Sequence, residues 1–142
     1  MKTLPVDLQE KKERLVGYCR EKGIELVVLF GSCAAGKVYA GSDLDLAVLP
    51  RKDTPLSRLE LLFDMESLFD PMDVDLVLLG PGTDPLLLYE IFMRGMPLFE
   101  ARLGAFQERR LLAWKIYLDT APLRELERDY VKRADERRAH VS

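Results

Sequence analysis

Three aspartates, Asp43, Asp45 and Asp75, stand inside the apolar runs DLDLAVL and VDLVLL, which otherwise read as buried strands. On a strand, residues i and i+2 point to one face, so Asp43 and Asp45 project together while Leu44, Leu46 and Val48 turn the other way. Like charges held this close raise each other's pKa unless a cation lies between them. Carboxylates are the hard oxygen ligands that suit Mg²⁺ or Mn²⁺, and Asp75 on a neighbouring strand would complete such a set. Asp73 shares a face with Asp75 and is its rival, but it sits nearer the start of the strand, so Asp75 is the expected third ligand. Taken alone, a D-x-D triplet carries little weight, because acids in such triplets also cap strand ends or pair with Arg or Lys.

The weight comes from Gly31-Ser32, separated from Asp43 by ten residues. Glycine lets the backbone approach phosphate oxygens closely, a hydroxyl adds a donor, and a following helix would present its free N–H groups to an anion. A phosphate cradle beside a metal-carboxylate cluster makes a nucleoside triphosphate site. There the metals neutralise developing charge and align the attacking and leaving oxygens for in-line displacement.

The elements that must position these groups are legible from periodicity. Residues 8 to 22 place Leu8, Leu15, Val16 and Cys19 at helical spacing before a Gly23 stop. IELVVLF (24–30) is too short and too β-branched for a helix and predicts a buried strand. DLDLAVL (43–49) is the second strand, ended by Pro50, with a connection of about a dozen residues before it. PLSRLELLFDMESLF predicts a helix starting at Pro55, with Leu56, Leu59, Leu62, Phe63, Leu68 and Phe69 on one stripe. VDLVLL (74–79) is the third strand, GPGTDP a loop, and DPLLLYEIFMRG a third helix. From about Arg102, Leu103, Phe106, Leu111, Trp114 and Leu118 fall at helical spacing, and after a break at Ala121-Pro122 the pattern resumes through Leu123, Leu126 and Tyr130.

The expected fold is therefore α/β (α+β): a small mixed sheet of three to four strands with helices packed mainly on one face, plus a C-terminal helical extension. Residues 1–100 are expected to form the core. Residues 101–142 are expected to pack on it as the extension, where Trp114, Tyr117 and Tyr130 could dock a partner or Trp114 could close the core against the third helix. A chain of 142 residues is long enough for one well-cored domain and too short to favour two.

Charge and composition exclude several function classes. No window approaches the roughly 18 apolar residues of a membrane span, and the charged start MKTLPVDLQEKKERL lacks the apolar stretch of a signal peptide, so a cytoplasmic protein is expected. A net charge of −3 offers no general attraction to nucleic acid. Cys19, Cys33 and the single His140 are too few for a metal cluster of their own; the thiols are expected to be reduced and structural, and His140 solvated. The stretch RELERDYVKRADERR mixes both signs, as a solvated helix face laced with ion pairs does, and a docking role is the other reading.

Gly31-Ser32, ten residues, Asp43-Leu44-Asp45 and Asp75 in a later V-D-L-V strand together resemble the signature of the DNA polymerase beta-like nucleotidyltransferase superfamily. The likeness is greatest to its minimal nucleotidyltransferase (MNT) branch. It covers roughly residues 20 to 100, and the WKIYLDTAPLREL stretch is similar to the tail of MNT antitoxins that accompany HEPN ribonuclease toxins. The resemblance implies a protein adenylyltransferase that moves AMP from ATP to a tyrosine hydroxyl of the toxin, forming a hetero-oligomer with it. It implies that Gly31, Ser32 and Ser42 bind the nucleotide, that Asp43 and Asp45 hold both metals, and that Asp75 holds the catalytic metal and helps deprotonate the hydroxyl. The family often has Arg before the glycine that corresponds to Gly36; here that residue is Ala35, and Lys37 is the candidate substitute. Two alternatives share the fold: an aminoglycoside-type nucleotidyltransferase, which usually brings a larger helical domain, and an antitoxin that neutralises by contact alone.

Overall fold

The computed structural model describes residues 6–31 and 43–141, with side chains over 8–31 and 43–138. Four strands form one sheet: β1 (Ile24–Phe30), β2 (Leu44–Pro50), β3 (Val74–Leu78) and β4 (Met96–Glu100), in the order β3-β2-β1-β4. β1 runs antiparallel to both β2 and β4, and β2 runs parallel to β3. A parallel pair needs a crossover, and helix α2 (Arg58–Phe69) supplies it. The apolar run from Leu26 to Phe30 in β1 follows from its central position, buried on both faces.

The larger core lies between one sheet face and two helices. α1 (Val6–Lys22) contributes Leu8, Leu15 and Cys19, and α2 contributes Leu61, Met65 and Phe69 at i, i+4, i+8. They meet Val27 and Leu29 of β1 and Leu44, Leu46 and Val48 of β2. A Tyr18 hydroxyl donating to Asp64 at 2.6 Å and a Lys22–Glu60 ion pair at 2.8 Å tie α1 to α2. The opposite face carries a smaller core of Leu26, Val28, Phe30 and Ala47, covered by Ile91 and Phe92 of α3 (Pro85–Arg94) and by Ala113 of α4 (Ala105–Asp119).

Three local expectations are corrected. α2 begins at Arg58, not Pro55: Ser57 is its N-cap, its Oγ accepting from the Glu60 N–H at 3.3 Å, and a side-chain cap satisfies a free donor as proline at the first turn cannot. Ser57→Ala should therefore cost about 1 kcal/mol, seen as a drop of about 2–4 °C in the melting midpoint. The buried stripe of α2 also lies elsewhere than expected, since Leu59 and Phe63 are 76% and 73% exposed. Finally, MPLFE forms β4, a strand that periodicity did not mark. It is an edge strand whose Pro97 sits at a register shift opposite Val28, the kind of place where a missing N–H is tolerated.

Cys19 is fully buried, and burial pushes its thiol up to about 12. Alkylation needs the thiolate, so at pH 8 Cys19 should react on the order of a thousand-fold more slowly in the native chain than in urea, as peptide mapping after iodoacetamide would show. Cys33 lies outside the described residues.

The break at Ala121-Pro122 is where the C-terminal helices separate: α4 ends at Asp119, Thr120 caps it, and α5 (Ala121–Val141) follows. α4 packs on α3, β1 and β4, whereas α5 is joined chiefly to α4. Arg124 fastens that joint. Its guanidinium donates to the Tyr117 carbonyl at 2.8 Å and lies 3.9 Å over the Tyr117 ring, which stacks on Tyr89 at 4.2 Å. The buried side of α4 is formed by Ala105 and Ala113. The larger apolar residues, Leu111, Trp114 and Leu118, point outward instead and run on into exposed Leu123, Leu126 and Tyr130. Trp114 touches Tyr89 of α3 at 6.2 Å between ring centroids, yet 44% of it stays exposed, so it closes the core only in part. His140 lies in the α5 backbone, and its side chain is outside the described residues.

Candidate active site

Strand register sets the geometry of the acids. In the parallel pair, Asp45 stands directly opposite Asp75, and in the antiparallel pair it stands opposite Phe30, the last residue of β1. Asp45 and Asp75 therefore face each other where β1 ends and β2 and β3 begin, on the face that carries α3, and Asp43 directly precedes β2. Leu44, beside them, is held by its N–H donating to the Asp73 carbonyl at 2.7 Å.

Burial raises the pKa of Asp45, and the neighbouring charges of Asp75 and Asp43 raise it further. Asp73 is not among the groups that act on it, and no cation among the described residues offsets the repulsion. The two outer acids, Asp43 and Asp75, are exposed and Asp45 is half-buried. Among the described residues no three Asp, Glu, His or Cys side chains are drawn together tightly enough to form a ready-made metal cage. Mutually repelling carboxylates are expected to stand apart in this way until a cation enters. The donor set, three carboxylates at the start of β2 and in β3, has the chemistry that Mg²⁺ or Mn²⁺ requires.

Gly31 follows β1 directly with φ +73°, and a Cβ there would collide with the Asp45 carboxylate, whose Cγ would be 3.0 Å away. Only glycine permits both the left-handed backbone and this close approach. The turn is thus pressed against the central acid of the three. Ser32 and Ser42, the other residues expected at the nucleotide, lie outside the described residues, as do Ala35 and Lys37.

Gly95 was legible only as a helix stop, but its role at this end of the sheet is larger. A Cβ on it would meet Val28 Cγ1 at 2.7 Å and the Leu29 carbonyl at 2.9 Å, so its bareness lets α3 end flush against β1. The sequence signal was its place between MR and MPLF, which reads equally well as an ordinary cap.

No relative among curated proteins matches the sequence. Solved structures are similar over most of the chain. A chain of a toxin–antitoxin complex with AMP-PNP superposes with a TM-score of 0.70 at 25% identity, covering 85% of this chain and 98% of that one. A chain from a complex of tri-AMPylated Shewanella oneidensis HEPN toxin with MNT antitoxin gives 0.67 at 23% identity, covering 88% and 98%. A chain of the toxin–antitoxin complex MntA-HepT gives 0.66 at 23% identity, covering 87% and 98%. The last two likenesses establish a shared fold. The family model described as polymerase beta, nucleotidyltransferase matches residues 13–102, the span that holds Gly31 and all three aspartates. By that match the chain belongs to the polymerase beta nucleotidyltransferase family.

Proposed function

We propose that this chain is the antitoxin of a HEPN/MNT toxin–antitoxin pair and that it transfers AMP from ATP to a tyrosine hydroxyl of its partner toxin in the presence of Mg²⁺ or Mn²⁺. The observation that carries this reading is the facing pair Asp45 and Asp75, with Gly31 pressed against the former. The similar folds of a chain crystallised with AMP-PNP and of one found with an AMPylated toxin support the choice of nucleotide and acceptor.

Each residue has a part set by its place. Asp43, Asp45 and Asp75 would hold the divalent ions, which when bound neutralise phosphate charge and polarise the α-phosphorus. Gly31, with Ser32 and Ser42, would seat the triphosphate through backbone N–H groups and hydroxyls. The tyrosine oxygen attacks the α-phosphorus, the bond from that phosphorus to the α,β-bridging oxygen breaks, and pyrophosphate leaves. The tyrosine proton passes to Asp75. Asp75 suits that part because it is more exposed than Asp45 and so lies where a hydroxyl carried by another protein can reach it.

Residues 101–142 are the proposed docking extension, since their Leu111, Trp114, Leu118, Leu126 and Tyr130 form an exposed apolar stripe. The same stripe keeps a contact-only antitoxin in contention, and one experiment separates the two. The chain is incubated with a candidate HEPN partner toxin, ATP and Mg²⁺, and the toxin is weighed. AMP adducts on tyrosine are expected; neutralisation without any gain in mass would leave contact alone. Within this assay Asp75→Asn should lower transfer on the order of a thousand-fold, whereas Asp73→Asn should stay within about threefold of wild type because the Asp73 carboxyl does not act on Asp45.

A further inference from the structure

The far end of the sheet holds a second concavity, on the same face as the acids but where β2 and β3 finish. Asp45 and Leu49 are four strand positions apart, about 13 Å at 3.3 Å per residue. The cleft has a volume of about 920 Å³. Its floor is apolar, formed by Leu49, Leu79, Leu88, Phe92 and Ile116, and Pro50, Pro55, Pro81 and Pro85 stand in its walls. Proline fixes its own backbone, so these walls are largely preformed. Small-molecule sites have this character, with volumes of roughly 300–1,000 Å³, apolar linings and a few convergent polar groups. In open sheets such sites favour the carboxyl ends of parallel strands, and here the parallel pair β2 and β3 ends at the cleft.

The rim carries a positive excess on a protein whose net charge is −3: Arg51, Lys52 and Arg109 against the single acid Asp53. None of the three cations takes part in an ion pair among the described residues. Glu108, the acid next to Arg109, is hydrogen-bonded by Arg102, at 2.9 Å and 2.5 Å, and Arg109 reaches it only through its charge. An apolar floor under a rim with more cations than acids, none of the cations in an ion pair among the described residues, is complementary to a molecule with an apolar body and an acidic head.

We propose that this cleft binds a small amphipathic carboxylate, its chain or ring system on the apolar floor and its carboxylate held by Arg51, Lys52 and Arg109. The site is separate from the transfer reaction and does not depend on it. The test uses the full chain with 1-anilinonaphthalene-8-sulfonate as fluorescent probe and dodecanoate as competitor. Saturable binding of one probe per chain, displaced by dodecanoate and unaffected by Mg²⁺-ATP, is expected. The double variant Lys52→Glu/Arg109→Glu, at exposed positions, should weaken binding at least tenfold with an unchanged circular dichroism spectrum. Leu126→Gln/Tyr130→Gln should leave it unchanged, because that stripe lies on α5. The proposal is overturned if charge reversal has no effect, if the α5 variant abolishes binding, if Mg²⁺-ATP displaces the probe, or if the chain dimerises through this face and excludes it.

Discussion

Asp45→Asn is expected to abolish the proposed AMP transfer while the metal-free chain keeps or slightly raises its melting midpoint. Both halves of this result have one cause. The Asp45 carboxylate is half-buried and close to the charges of Asp75 and Asp43, so its own charge is held against burial and repulsion. Asparagine keeps the shape and removes the charge. Transfer should fall on the order of a thousand-fold or more, equivalent to about 4 kcal/mol of barrier, and Mg²⁺ should raise the midpoint of the native chain but not of the variant. The pH dependence follows in sign. The folded chain holds the Asp45 proton more tightly than the unfolded chain does, so wild-type stability falls as pH rises from the ordinary aspartate value through the raised one. The Asn variant lacks that loss, and its advantage should be largest above this window and vanish below it. Parallel melts across pH, with and without Mg²⁺, check every part.

Gly31→Ala is the second change with a large effect, and it acts on structure and chemistry together. At φ +73° a side chain pays the left-handed cost of roughly 1–2 kcal/mol, and the new methyl group also meets the Asp45 carboxylate. The carboxylate must turn aside, which spoils the position of the central acid as well as the turn proposed to seat the phosphates. We expect a stability loss of about 2–3 kcal/mol and a loss of transfer of at least about a hundred-fold. A double-mutant cycle identifies the cause. In an Asp45→Ala background the obstructing carboxylate is gone, so Gly31→Ala should cost less by at least about 0.5 kcal/mol. Equal costs in both backgrounds would mean that backbone strain acts alone.

Much of the frame was legible because the signals were local. IELVVLF could be read as a buried strand from its composition, and its observed limits, Ile24–Phe30, are the expected ones. The acids stood out because charge in an apolar strand needs a reason, and period-two alternation put Asp43 with Asp45, and Asp73 with Asp75, on a face; only the register of β2 and β3 set Asp45 opposite Asp75. What escaped were features decided by neighbours. β4 has five residues and a proline, and becomes a strand only because β1 offers it an edge. Leu59 and Phe63 looked like core by periodicity, yet α2 is turned so that Leu61, Met65 and Phe69 face the sheet. The apolar spacing of α4 likewise marks a helix without saying which side is covered. Small Ala105 and Ala113 allow the close approach, leaving Leu111, Trp114 and Leu118 outside. Periodicity reports that a face exists, whereas shape complementarity chooses which face is buried.

The most direct measurement is diffraction from crystals grown with Mn²⁺ and AMP-PNP, recorded so that anomalous scattering locates the ions. The account places Mn²⁺ within coordinating distance, about 2.0–2.3 Å, of carboxylate oxygens from Asp43, Asp45 and Asp75, with the phosphates lying over Gly31. Metal peaks away from these residues, or an Asp75 side chain turned from Asp45 while nucleotide and ion are bound, would contradict it.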